Sequence, residues 1–311
     1  MPPDDFDEEL DLGKVSGEVL RRSVLSLMPT QRKITLDAAE VKLQGNIVVA
    51  HSPSIGVPLE ALGFFAFHYA ASNVAARLAR PRHLVNGIYL PLETRERVLR
   101  RIARGLGAEA RKYGVDVVAG QTATYAGLEI PLVTVTCIGE PVRTPEAPEP
   151  GDRVLLVGEV GGEALWLNSV SEGGGGEAWR RFTPLPAALS LIECEGVRLM
   201  HDVSEGGVKN ALQEVGEAFN VQMDVDGEAI IYSPGVEAIG QDSLRVPTYG
   251  TLIVVSKPDA VDDVMSVVGG LGVPCSPIGV VEVGEGVYID GEKVDPYTRV
   301  SLDEVYGSFK K

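Results

Sequence analysis

Four prolines fall within ten residues, 141–150, in the stretch PVRTPEAPEPGD (141–152), with charged residues between them. Proline fixes φ and has no N–H, so such a run neither continues a helix nor sits inside a sheet. It makes a stiff, exposed connector. Whatever the chain buries must be built on either side of it. The 311 residues divide there into 1–146 and 147–311, each long enough for a domain with its own core.

Both sides mix helical and extended patterns. In the first half, GEVLRRSVLSLM (17–28) has the spacing of an amphipathic helix, and NIVVA (46–50) reads as a strand. LGFFAFHYAASNVAARLA (62–79) predicts a long buried helix closed by Pro81, and LVNGIYLP (84–91) a strand stopped by proline. A helix follows to about Lys112. VDVVAG (115–120) predicts a short buried strand, and the alternating IPLVTVTCIGE (130–140) another. The second half opens with RVLLVGEVGG, a strand running into a glycine turn, and SEGGGGEAW (171–179) is a loop. VQMDVD, TYGTLIVVS and CSPIGVVEV read as strands, AVDDVMSVVGGLG as a helix, and GVYIDGEKV as a hairpin around Asp290–Gly291. Helices and strands do not alternate regularly, which favours α+β in each half.

Composition excludes several function classes. No apolar run approaches the ~20 residues of a membrane span. The acidic N-terminus is not that of a signal peptide. Three scattered cysteines, Cys137, Cys194 and Cys275, form no CxxC and are expected as packed thiols of a reduced, cytoplasmic protein. A net charge of −16 repels a phosphate backbone, so no nucleic-acid partner is expected. RPRH (80–83) is expected in a surface turn, and RERVLRRIAR (95–104) as the solvated face of a helix with Val98, Ile102 and Leu106 inward. His68, between aromatic residues, is expected to be a packing residue. No His/Cys pair has the spacing of a zinc site.

The stretch HDVSEGGVKNAL (201–212) carries the chemistry. It reads as a helix start with Ser204 as N-cap, followed by Val208, Ala211, Leu212 and Val215 on one face. Yet the first turn holds Gly206 and Gly207, and each glycine costs a helix about 1 kcal/mol against alanine. One reading is a phosphate seat, where glycines let an anion reach the backbone N–H groups at the positive end of the helix dipole. The other is that the glycines permit close packing of the turn.

HDVSEGGVKNALQEVGEAFNV resembles the His-Asp-x-Thr-Glu-Gly-Gly motif of the aminoimidazole ribonucleotide (AIR) synthetase-related, PurM-like superfamily, with Ser204 in place of threonine. The likeness extends along the chain. DLGKVSGEVL (11–20), LDAAEV (36–41), VVAHSPSIG (48–56), GFFAFHYAASNVAARLARPRHLVNGIYLP (63–91), VVAGQTATYAG (117–127) and PTYGTLIVVS (247–256) follow the family's segments in order, most like HypE-type members. The resemblance implies a two-domain α+β fold whose N-terminal domains pair into a barrel-like homodimer interface. It also implies ATP in the groove between domains, Mg²⁺ on carboxylates, and phosphoryl transfer to a small-molecule or protein acceptor, in some members within hydrogenase maturation.

Carried onto this sequence, the resemblance assigns ATP contacts to Ser204, Glu205, Gly206, Gly207, His51, Asn73, Gly120, Gln121 and Thr122, and Mg²⁺ to Asp37 and Asp202. It also shows departures. Leu36, His51, Asn73 and Gln121 stand where the family places carboxylates, and amides and imidazole serve Mg²⁺ poorly. The C-terminal EVYGSFKK lacks the cysteine of HypE-type tails. A non-catalytic dimer with a degenerate ATP site, binding another anionic ligand or a maturation partner, is the alternative.

Overall fold

The computed structural model of the protein describes residues 39–43, 45–94, 96–239 and 242–296. The expected helix at 17–28, the segments around Leu36 and Asp37, and the C-terminal EVYGSFKK lie outside the described residues.

The first half is a five-stranded sheet. Its strands are β1 (Ala39–Leu43), β2 (Gly45–Ser54), β3 (Ala79–Pro91), β4 (Asp116–Tyr125) and β5 (Leu132–Pro141), in the order β1-β2-β5-β3-β4. All pairs are antiparallel except β3 with β4. Among the described residues, helices α1 (Leu59–Ala76) and α2 (Glu96–Lys112) accompany the sheet in this half. Inward positions of β5 (Val133, Val135, Cys137) and of β2 (Val48, Ala50) meet the buried face of α1. Ile102 and Leu106 of α2 point inward as expected, and His68 is fully buried.

Three expectations are corrected here. Helix α1 ends at Ala76, before Pro81, because Leu78 turns the chain with φ +57° and Ala79 already pairs in β3. RPRH therefore lies in β3, at a register shift between Pro81 and His83, and not in a turn. VDVVAG is not buried: β4 is the edge strand, and Val117 and Val118 are 48% and 55% exposed.

The second half is a seven-stranded sheet in the order β12-β11-β8-β10-β6-β9-β7. The strands are β6 (Arg153–Val157), β7 (Val197–Val203), β8 (Gln222–Val225), β9 (Thr251–Ser256), β10 (Cys275–Glu282), β11 (Gly286–Ile289) and β12 (Glu292–Lys293). Helices α3 (Gly162–Ser171), α4 (Leu185–Leu191), α5 (Gly207–Phe219) and α6 (Val261–Gly269) join them. Helix α5 packs on one face through Val208, Leu212 and Val215, against Leu156, Leu199, Ile253 and Val255. The opposite face presents Leu155, Val157, Leu252 and Val254 to α4, α6 and α1 of the first half. One hydrophobic core thus runs through both halves. That departs from the expectation of two separate cores.

The connector crosses this seam, mostly exposed but pinned. Arg143 donates to the carbonyls of Ile192, Cys194 and Val197 at 2.6–3.0 Å. Arg198 of β7, only 8% exposed, faces Glu146, Glu149 and Asp152.

Candidate functional site

A cavity of about 1330 Å³ opens where the halves meet. The first half contributes apolar wall: Ile55, Leu59 and Leu62 beside β2 and α1, Val98 of α2, and Ile130. The second half contributes Glu163, Asp202, Ser204, Glu205 and Tyr249. Among the described residues, no Lys, Arg or His side chain lines it.

Asp202 is placed by β7. This strand is buried at every position, so its residues show no alternation, and His201 and Asp202 belong to it, a strand the sequence pattern did not mark. His201 is buried, with Nε2 2.7 Å from Glu214 Oε2 of α5. The chain then turns through Ser204 and Glu205 into α5.

Ser204 is not the N-cap. Gly206 is, with φ +79° and no side-chain cap. Gly207 follows at φ +63°. Both conformations belong to the left-handed region that glycine tolerates and other residues rarely adopt. A Cβ on Gly207 would collide with Leu244 O and lie 2.8 Å from Val246 O. Close packing of the turn therefore accounts for Gly207. The amides here are partly committed within the chain: Gly207 N–H donates to Ser204 O at 3.2 Å and Lys209 N–H to Leu244 O at 3.0 Å. Gly207→Ala is expected to cost about 3 kcal/mol or more, from strain at positive φ plus collision with backbone oxygens. Urea unfolding checks it; a loss below about 1 kcal/mol would contradict the packing account.

Of the residues assigned from sequence, Asn73, Asp202, Ser204 and Glu205 line this one cavity. Gly206 and Gly207 follow directly but are not in its wall. His51 is exposed on β2, with Nδ1 2.8 Å from Thr136 Oγ1. Gly120, Gln121 and Thr122 lie on edge strand β4, and Gly120 and Thr122 are not in the wall. Asp37 lies outside the described residues. Among the described residues, no three His, Cys, Asp or Glu side chains come together as a metal-binding group.

Sequence reasoning missed Glu163. It sits in the first turn of α3, where an acidic residue looks like an ordinary partner of the helix dipole. The fold buries it to 7% exposure, and its Oε2 accepts Tyr249 N–H at 2.7 Å. Burial, with Glu205 nearby adding to it, pushes this carboxyl up to about 7, against the opposing pull of that hydrogen bond. The local signal was Gly161 and Gly162 immediately before it, a second glycine pair opening a helix. Tyr249, fully enclosed, shares a 2.9 Å hydrogen bond with Ser72 of α1, and burial holds its phenol well above the usual range.

Beside the cavity, Thr183 Oγ1, His68 and Glu109 form a chain across the halves, at 2.7 Å to Nδ1 and 3.0 Å from Nε2. Burial holds His68 below its ordinary value despite Glu109. A neutral ring donating to Glu109 and accepting from Thr183 fits both contacts. None of the three lines the cavity, so this is a structural tie. The thiols are equally inert: burial pushes Cys137 up to about 12 and Cys275 to about 11.

Residues 37–140 match the family described as AIR synthase related protein, N-terminal domain, and residues 149–292 match its C-terminal domain. A carbamoyl dehydratase HypE from Azotobacter vinelandii is 30% identical over 264 residues, covering 78% of this chain and 76% of the relative. A thiamine-monophosphate kinase from Pyrococcus horikoshii is 27% identical over 238 residues, covering 71% of each. Among solved structures, the hydrogenase maturation protein HypE in complex with ATP aligns with TM-score 0.72 at 20% identity, over 95% of this chain and 98% of that one. The last likeness is one of fold.

Proposed function

Because the chain belongs to the AIR synthase related protein family, we propose that it binds ATP in the cavity between its halves and transfers a phosphoryl group to a small-molecule or protein acceptor. The observation that carries this reading is the convergence of Asp202, Ser204 and Glu205 on one wall of a cavity with room for a nucleotide. Relatives described as an ATP complex and as a kinase support it.

The wall also bears on Mg²⁺. Among the described residues it offers hard carboxylate oxygens and no cationic side chain, and several helix-start amides are already committed. A triphosphate entering there needs its charge neutralised by another cation. Mg²⁺ commonly uses one or two carboxylates together with phosphate oxygens, which suits Asp202, with Asp37 as the second ligand. When bound, the ion would neutralise charge on the β- and γ-phosphates. The chain's own part is to seat the polyphosphate beside Ser204 and to cover the base with the apolar wall of Ile55, Leu59 and Leu62. We further propose that the first sheet pairs with that of a second copy. The exposed apolar edge of β4, at Val117, Val118 and Tyr125, supports this.

Calorimetric titration with ATP and ADP, with and without Mg²⁺, tests the reading. Micromolar ATP binding that requires Mg²⁺ and is lost in Asp202→Asn is expected. Absence of binding in every condition would overturn it. A second reading rests on neutral Asn73 in the wall and on His51 and Gln121 elsewhere, where the family resemblance places carboxylates: nucleotide binding without turnover. ATP binding with no phosphoryl transfer to any acceptor, water included, would favour it.

A further inference from the structure

The cavity exceeds what one nucleotide uses. Its volume is about 1330 Å³, whereas small-molecule sites commonly span about 300–1,000 Å³. Its walls divide by chemistry. Ile55, Leu59, Leu62, Val98 and Ile130 form an apolar side, and Glu163, Asp202 and Glu205 line the other with no basic side chain among them. Among the described residues no three acidic or imidazole groups gather around one metal-sized point. The three carboxylates therefore offer separate contacts, and one bound cation does not use them all.

Glu163 is the carboxylate left over from the nucleotide reading. Its Oε2 takes Tyr249 N–H, and no other donor among the described residues reaches the side chain. It is nine-tenths buried yet part of the cavity wall. A buried carboxylate oxygen without a donor or counter-charge is costly, and a ligand donor would relieve that cost. Asn73, in the same wall, likewise has a buried Oδ1 with no hydrogen-bond partner. Among the described residues the wall thus lacks positive charge, and it offers apolar surface. What fits is a molecule that brings a charged donor itself.

We propose that the cavity takes, beside the nucleotide, a small molecule with an apolar or aromatic body and a protonated amine. Its ammonium sits on the open oxygen of Glu163, and its body lies against the apolar wall the base does not cover, Val98 and Ile130. That this molecule is a co-substrate rests on the nucleotide reading; that it binds does not. A charge-assisted hydrogen bond in a low-dielectric pocket also favours the ionised form of Glu163 over the protonated one that burial promotes.

The test is calorimetric titration of the full chain with three probes of one shape: tryptamine, tryptophol and indole-3-acetate. Tryptamine is expected to bind about tenfold tighter than neutral tryptophol, the worth of one charged hydrogen bond, with indole-3-acetate weakest. Glu163→Gln should bring tryptamine and tryptophol to parity, and Glu163→Asp should keep part of the preference; circular dichroism confirms both variants folded. Equal affinities in the unsubstituted protein, a preference that survives Glu163→Gln, or no tryptamine binding would each overturn the proposal. ATP–Mg²⁺ titrated separately keeps the two readings apart. Loss of ATP binding with the tryptamine preference intact sinks the nucleotide reading alone, and the reverse sinks the amine site alone.

Discussion

Arg198→Ala is expected to destabilise the protein by about 3–5 kcal/mol, the range for removing one partner of a buried ion pair. The guanidinium sits in β7 at 8% exposure and holds three carboxylates of the connector. They are not equal. Glu146 and Glu149 are more than half exposed, and their pairings contribute little through solvent. Asp152 is 3% exposed, and its Oδ2 lies 2.7 Å from Arg198 Nε as an ion pair rather than an aligned hydrogen bond. The same oxygen accepts Glu149 N–H at 2.7 Å. Without the arginine, a buried negative charge remains with one backbone donor. Urea denaturation measures the loss. The double variant Arg198→Met with Asp152→Asn should recover most of it, because the orphaned charge is gone. A double variant no better than Arg198→Ala would show that packing of the side chain, and not charge, holds the connector.

Glu163→Gln is expected to act in the opposite direction, stabilising by about 3 kcal/mol above neutral pH. The carboxyl is pushed up from 4.5 to about 7 in the fold. That difference is roughly 2.5 pK units at about 1.4 kcal/mol each. The folded state therefore keeps a proton that the unfolded chain has released between pH 4.5 and 7. Stability from this group falls as pH rises across that window, and the full cost stands above it. Glutamine carries no ionisation cost and still offers an oxygen to Tyr249 N–H. Thermal melts of the two proteins should nearly coincide at pH 4.5 and separate by several degrees at pH 8.5. Parallel curves at both values would mean that Glu163 ionises in the fold as it does in water. Such a gain at a cavity wall is the usual mark of a group kept for function at the expense of stability.

Much of the fold was legible in local pattern. Strand β5 alternates inward and outward along its length, and Asp290 and Gly291 turn the β11–β12 hairpin with φ of +52° and +82°. Where pattern failed, the cause was tertiary. Strand β7 is buried on both faces, so the alternation that marks a strand never appears, and no strand was expected ahead of Ser204. Strand β4 is as apolar as a buried strand, and only its place at the sheet edge exposes it. The site was legible to the same degree. HDVSEGG named the turn that reaches the cavity, because its residues are contiguous. Glu163 did not announce itself, because its hydrogen-bond partner, Tyr249, lies 86 positions away.

The core that runs from α1 into the second sheet has a thermodynamic consequence. Leu155, Val157, Leu252 and Val254 belong to the same apolar cluster as Phe67, Ala70 and Val74. Prying the halves apart exposes the interior of both, so they melt as a single cooperative unit and not in two steps. A molecule lodged at the seam is linked to that one transition. Its occupancy raises the melting temperature of the whole chain in proportion to the logarithm of its concentration over its dissociation constant, so heat alone can screen for what the cavity holds.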